Sequence, residues 1–160
     1  MRSYRRILGL IDISANGEQV ARRALQMARL YNATLGIGTV IDYTPGYESG
    51  HAPFLTPQQA QDAVVKDFSR RLDHLIERIG AGGAEGLVAA GHLSSCVRDV
   101  LHSWDPDLVL IGSHEPYGLD QPQALLGSRG EAPPFDILVV RIEQPKHFGG
   151  RFVRALANAF

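Results

Sequence analysis

One cysteine, Cys96, leaves no partner for an internal disulfide and suits a reducing compartment. Charge of neither sign dominates. Sixteen Lys and Arg stand against seventeen Asp and Glu, a net charge of −1, and no basic stripe recurs at helical spacing. That removes the usual ground for expecting nucleic acid as a partner. No apolar run approaches the ~18 residues of a membrane span. Six histidines (His51, His74, His92, His102, His114 and His147) show no metal-ligand spacing, so no metal site is expected. Also missing are a Gly-x-Ser-x-Gly elbow, a Walker loop and a Gly-x-Gly-x-x-Gly fingerprint, which leaves hydrolytic catalysis without a basis.

What remains is ordinary for one globular domain: 44% apolar and 21% charged residues in a chain of 160. Such a length buries about two-thirds of its unfolded surface in a single core. Arg5-Arg6 followed by an apolar run mimics the start of a signal peptide. The run is short, is broken by Asp12 and flows into a capped helix, so it reads as a strand and the cytoplasm is the expected location.

Ile7 to Ile11 is nearly continuous in apolar character, as a parallel strand covered on both faces requires. Asn16 followed by Gln19 signals a helix start, and Val20, Ala24, Ala28 and Tyr31 then recur at helical spacing. Thr34 to Ile41 reads as the second strand. Residues 42–55 form a loop rich in Gly, Pro and Tyr. Thr56, with Pro57 next and Gln59 three residues on, opens a helix carrying Val64, Phe68, Leu72, Leu75 and Ile79 on one stripe. Gly80-Ala81-Gly82-Gly83 stops it.

Leu87 to Ala90 is the third strand. Ser94 or Ser95 then caps a helix whose face is Val97, Val100, Leu101 and Trp104, ended at Asp105-Pro106. Leu108 to Ile111 is the fourth strand, a short fourth helix opens at Asp120-Gln121-Pro122, and Ile137 to Val140 is the fifth strand. This alternation argues a single-domain α/β fold, a five-stranded parallel open sheet with four flanking helices. Ligands of such sheets sit beyond the carboxyl ends of the strands, where strand order reverses. If strands one and four are adjacent, Asp12 and Ser14 face Gly112 and Ser113 across that crevice.

Arg5-Arg6-Ile7-Leu8 leading to Ile11-Asp12-x-Ser14, the Ala24-to-Ala33 helix, Asp105-Pro106-Asp107 to Gly112-Ser113, and Asp136 to Arg141 stand in an order that resembles the universal stress protein family over residues 3–142. The resemblance implies a Rossmann-like, adenine nucleotide α-hydrolase-like sheet. It also implies homodimers formed through the last strand, here Ile137, Leu138, Val139 and Val140. That strand is apolar and would otherwise be an edge inviting pairing. Residues 1–142 then form the domain and 143–160 a tail.

One branch of that family binds ATP through G-x2-G-x9-G-[ST]; the other, the universal stress protein A type, lacks the glycines and is not expected to hold nucleotide. In this chain Gly112 supplies the first glycine and Glu115 occupies the second. Gly127-Ser128 follows after eleven residues rather than nine. Glycine matters because the backbone must approach phosphate closely. A carboxylate ~4 Å from a phosphate charge costs on the order of 1–4 kcal/mol, or roughly 5- to 1000-fold in affinity. Pro116 deletes an N–H donor and Asp120 adds negative charge. Arg129 is the lone Lys or Arg between Asp105 and Arg141.

The resulting expectation is a non-enzymatic, cytoplasmic, homodimeric stress-response protein of the A-like type, without a cofactor and working through protein contacts. The alternative is a switch holding ATP or AMP on Asp12, Ser14, Val40, Gly112, Gly118, Gly127 and Ser128. Asp12 has a plainer role too, as a strand-end carboxylate turning the chain into the helix with Ser14. Cys96, near a helix start, raises a redox-sensor reading, against a small core-edge role beside Leu93 and Val97.

In the tail, Phe152, Ala155, Leu156, Ala159 and Phe160 fall on one helical face with Arg151 and Arg154 opposite. Ten residues are too few for a stable free helix, so order there comes from contacts: a partner protein, a membrane surface, or the chain's own fold.

Overall fold

Apolar runs of strand length and amphipathic helices alternate along the chain, and a computed structural model turns that alternation into one parallel sheet. The structure describes residues 3–44, 55–113 and 132–143. Its elements are β1 (Arg6–Leu10), α1 (Ala15–Tyr31), β2 (Thr34–Asp42), α2 (Pro57–Arg78), β3 (Glu85–Gly91), α3 (Leu93–Trp104), β4 (Leu108–Gly112) and β5 (Asp136–Val140). All neighbours pair in parallel, in the order β3-β2-β1-β4-β5. The order therefore reverses between β1 and β4, as the expected crevice requires. The expected fourth helix and the 144–160 tail lie outside the described residues, as does most of the 42–55 loop.

Successive side chains of a strand point to opposite faces, so the central strands feed two cores. Ile7, Leu35, Ile37, Leu108 and Leu110 meet Val20, Ala21 and Ala24 of α1 and Leu72, Leu75 and Ile76 of α2. Leu8, Leu10, Val40, Val109 and Ile111 meet Val97, Val100, Leu101 and Trp104 of α3. Full burial of each such Leu, Ile or Val contributes roughly 1.5–3 kcal/mol, which is why β1 and β4 carry almost no polar residue.

Two helix starts differ from the sequence expectation. Ser14, not Asn16, caps α1: its Oγ accepts from the Gly17 N–H at 3.2 Å. The helix begins at Ala15 because Ser14 is the last extended residue. α3 begins at Leu93, ahead of Ser94 and Ser95, with His92 at the cap position and no side-chain cap bond. Leu93 packs against the second core, which draws it into the first turn. α2 matches expectation in full: the Thr56 hydroxyl accepts from the Gln59 N–H while the Gln59 side chain accepts from the Thr56 N–H.

The two edges of the sheet are treated differently. α2 leans over β3: a Cβ on Gly86 would touch Leu72 and Ile76, and Gln61 Nε2 donates to the Ala90 carbonyl at 2.6 Å. β5 ends the other side, and Val139 is 37% exposed.

Candidate functional site

The crevice opens where the ladders on either side of β1 stop. Its last rungs are Gly9↔Leu110 towards β4 and Leu10↔Gly38 towards β2, with the Ile11 N–H still reaching the Gly38 carbonyl at 2.8 Å. Beyond that point β2 runs on to Asp42, with Val40, Ile41 and Asp42 in register with Ala89, Ala90 and Gly91 of β3. Val40 lies two residues past Gly38, so by strand alternation its main-chain groups turn to the β1 side. Its side chain is buried in the second core.

Asp12 and Ser14 sit on the β1 side of this opening. The Ser14 hydroxyl donates to Asp12 Oδ2 at 2.9 Å while accepting from the Gly17 N–H, so one oxygen joins the carboxylate to the helix start. Gly17 is needed for this closeness. A Cβ there would lie 1.8 Å from the Asp12 carbonyl oxygen and 2.5 Å from Asp12 Oδ1. The turn-forming role of Asp12 with Ser14 is thus present in the geometry.

Opposite them, Gly112 is the last residue of β4 and pairs with Val140. Ser113 follows, and both its polar groups serve the chain leaving β5. Its N–H donates to the Val140 carbonyl at 3.0 Å, and its Oγ accepts from the Ile142 N–H at 3.1 Å. One residue later the Gln19 side chain of α1 closes a two-bond pair with the main chain of Glu143. Gln19 Oε1 accepts from the Glu143 N–H at 3.0 Å and Nε2 donates to its carbonyl at 3.1 Å. Neither the Ser113 nor the Gln19 role was signalled in the sequence; Gln19 and Glu143 stand 124 positions apart. Gly118, Gly127, Ser128, Glu115 and Pro116 lie outside the described residues.

Among the described residues this end of the sheet carries more acid than base. Asp12, Asp42 and Asp99 stand at the ends of β1 and β2 and in the early turns of α3, against Arg98 and Arg141. Burial first, then Asp99 and Asp42, push the Cys96 thiol above its ordinary value. That opposes the helix-dipole effect a redox sensor would use, and Cys96 packs instead against the second core. Among the described residues no three His, Cys, Asp or Glu side chains gather to hold a metal ion, and no helix is long and apolar enough to cross a membrane. His92 and His102 lie at the two ends of α3, both exposed.

A groove of about 420 Å³ lies at the opposite, amino end of the sheet, lined by Arg29, Asn32, Thr34, Gly82 and Gly83 among others.

The profile of the universal stress protein family matches residues 3–132, a span that includes both walls of the crevice. The chain belongs to the universal stress protein family. Universal stress protein A homolog 1 of Coxiella burnetii is 27% identical over 129 residues, 81% of this chain and 88% of that protein. Among solved structures, a universal stress protein in complex with cAMP superposes with a TM-score of 0.56 at 21% identity, over 88% of this chain and 98% of that one. The universal stress protein of Archaeoglobus fulgidus in complex with dAMP gives 0.53 at 20% identity, over 89% of this chain and all of the other. These likenesses carry the five-stranded universal stress protein fold and nothing finer.

Proposed function

We propose that this universal stress protein is of the A-like type: a cytoplasmic homodimer, not an enzyme, that acts through protein contacts and holds no nucleotide as a cofactor. Ser113 is the observation that carries the reading. At the first loop position after β4, where a phosphate-binding turn needs free donors, its N–H is spent on the Val140 carbonyl, and its Oγ accepts from the Ile142 N–H and so holds the chain that leaves β5. The sequence adds Glu115 where the motif has its second glycine, and Pro116 beside it. The curated relative named for universal stress protein A agrees with this branch. For the dimer, support comes from the sheet margins: β3 lies under α2, whereas β5 is apolar and ends the sheet. An apolar strand at the end of a sheet is the natural place for a second copy to pair.

The second reading, an ATP- or AMP-dependent switch on Asp12, Ser14, Val40, Gly112, Gly118, Gly127 and Ser128, rests on the adjacency of β1 and β4 and on the folds solved with cAMP and dAMP. Nucleotide extracted by heating the purified protein, followed by calorimetric titration with ATP and AMP, separates the two. No extracted nucleotide and no binding below millimolar is expected. Retained nucleotide or micromolar affinity overturns the proposal in favour of the switch.

A further inference from the structure

The groove at the amino end of the sheet has a lip whose composition the fold does not require. Gly80 has reason to be glycine, because its φ of 76° lies in the left-handed region. Gly82 and Gly83 have none of that kind. They sit in a turn closed by the Ala84 N–H donating to the Ala81 carbonyl at 2.8 Å, and neither has a φ in that region. Such a turn accepts most residue types. A Cβ on either glycine would meet nothing within 4 Å. Each glycine therefore loosens the unfolded chain with no return in the turn itself. What the pair does is leave bare main chain along one wall of the groove.

The other wall supplies charge. Arg29 comes from the last turn of α1, is exposed, and is the one charged residue among those lining the groove. Its Nη2 donates across to the Gly80 carbonyl at 3.3 Å, which steadies the guanidinium between α1 and the turn. It has no carboxylate partner among the described residues. Between the walls, Ala28, Leu35 and Ala81 are buried and give the groove an apolar floor.

These features select a ligand class. Both α1 and α2 end beside the groove, so a polyanion would meet the negative poles of two helix dipoles. A single carboxylate avoids most of that repulsion and can take two parallel N–H···O bonds from the Arg29 fork. A volume of about 420 Å³ is that of a small-molecule site. We propose that the groove binds small organic carboxylates. The one negative charge sits on Arg29, a stem of a few carbons covers Ala28, Leu35 and Ala81, and the main chain of Gly82 and Gly83 lies close alongside. The groove and the crevice are at opposite ends of the sheet, so the test is independent of what the crevice holds.

Two-dimensional amide NMR of the isotope-labelled full chain, titrated with sodium hexanoate at fixed pH and ionic strength, reads binding at Gly82 and Gly83. Saturable shifts there are expected, with a Kd of about 1–10 mM. Hexylamine and hexanol keep the stem and lose the carboxylate, whereas inorganic phosphate keeps the charge and loses the stem. Each should bind at least about tenfold more weakly. Arg29→Gln should weaken hexanoate roughly fivefold or more, and G82L/G83L, which fills the lip, should do the same. Urea unfolding checks that both variants keep the parent's fold; if G82L/G83L does not, Arg29→Gln decides. No saturable shift by about 100 mM hexanoate overturns the proposal. So do equal shifts from hexylamine, hexanol or phosphate, or undiminished binding in a folded variant. Shifts confined to Ser14, Gly17 and Gly112 would put the ligand in the crevice and overturn it too.

Discussion

Replacing Gly17 with alanine tests how closely the crevice turn is packed. Inside an exposed helix, glycine to alanine normally stabilises by about 0.5–1 kcal/mol. Here the new Cβ would sit 1.8 Å from a main-chain oxygen, far inside the 3.0 Å that real Cβ atoms keep. Backbone must move, and the groups that move are those joining Asp12 to the helix. Loss of the Ser14 cap costs about 1 kcal/mol, loss of the Ser14–Asp12 bond about 0.5–1.5 kcal/mol, and residual strain roughly 1–3 kcal/mol. The expected net loss is about 1.5–5 kcal/mol after the helix-propensity gain is subtracted. At this chain length that lowers Tm by roughly 3–20 °C. Urea unfolding followed by far-UV circular dichroism measures it. Gly82→Ala is the control, since a Cβ there meets nothing within 4 Å and its φ is not positive; it should stay within about 0.5 kcal/mol of the parent. A Gly17→Ala protein as stable as the parent would refute the tight turn, and with it the seating of Asp12.

Three further outcomes follow from contacts already described or adjoining them. Gly36→Ala would put a Cβ 2.8 Å from the Trp104 ring, which is held by Glu85 at 3.0 Å and by the Arg6 guanidinium 4.3 Å above it. A loss of roughly 1–3 kcal/mol is expected, and because Trp104 is the sole tryptophan, its native emission should shift at the same time. The carboxyl of Glu18 is held below its ordinary 4.5 by hydrogen bonds from Arg22 and then Arg78. Its folded pKa is depressed, so its contribution is present above the unfolded value and fades as pH falls through the folded one. Glu18→Gln should therefore cost up to about 1 kcal/mol near neutral pH, and its unfolding curve should converge on the parent's in acid. Cys96, its thiol raised by burial and by Asp99 and Asp42, should alkylate more slowly at pH 8 than free cysteine; faster reaction would revive the sensor reading.

The fold was legible wherever one physical cause sufficed. Continuous apolar runs marked β1 and β4, because strands buried on both faces have no polar side. The Thr56–Gln59 reciprocal cap marked α2, because both its residues lie within one turn. Errors arose where two roles competed for one residue. At the start of α1 one hydroxyl, that of Ser14, serves the Asp12 carboxylate and the helix N–H together, which displaces Asn16 from the cap. α3 started early because Leu93 had a core to join, and a hydroxyl count cannot see that. The brace made by Gln19 and Ser113 was invisible for another reason: its partners are main-chain groups, whose identity no side-chain pattern encodes.

The long α2 has a consequence for how far these chains can aggregate. With Gln61 bonded to the Ala90 carbonyl and Leu72 and Ile76 set over Gly86, α2 crowds the β3 flank, and among the described residues the β5 flank is the easier one for a ribbon of hydrogen bonds to grow from. If two molecules pair at β5 as proposed, they consume that flank on both sides at once, and addition would stop at a pair instead of propagating into a filament.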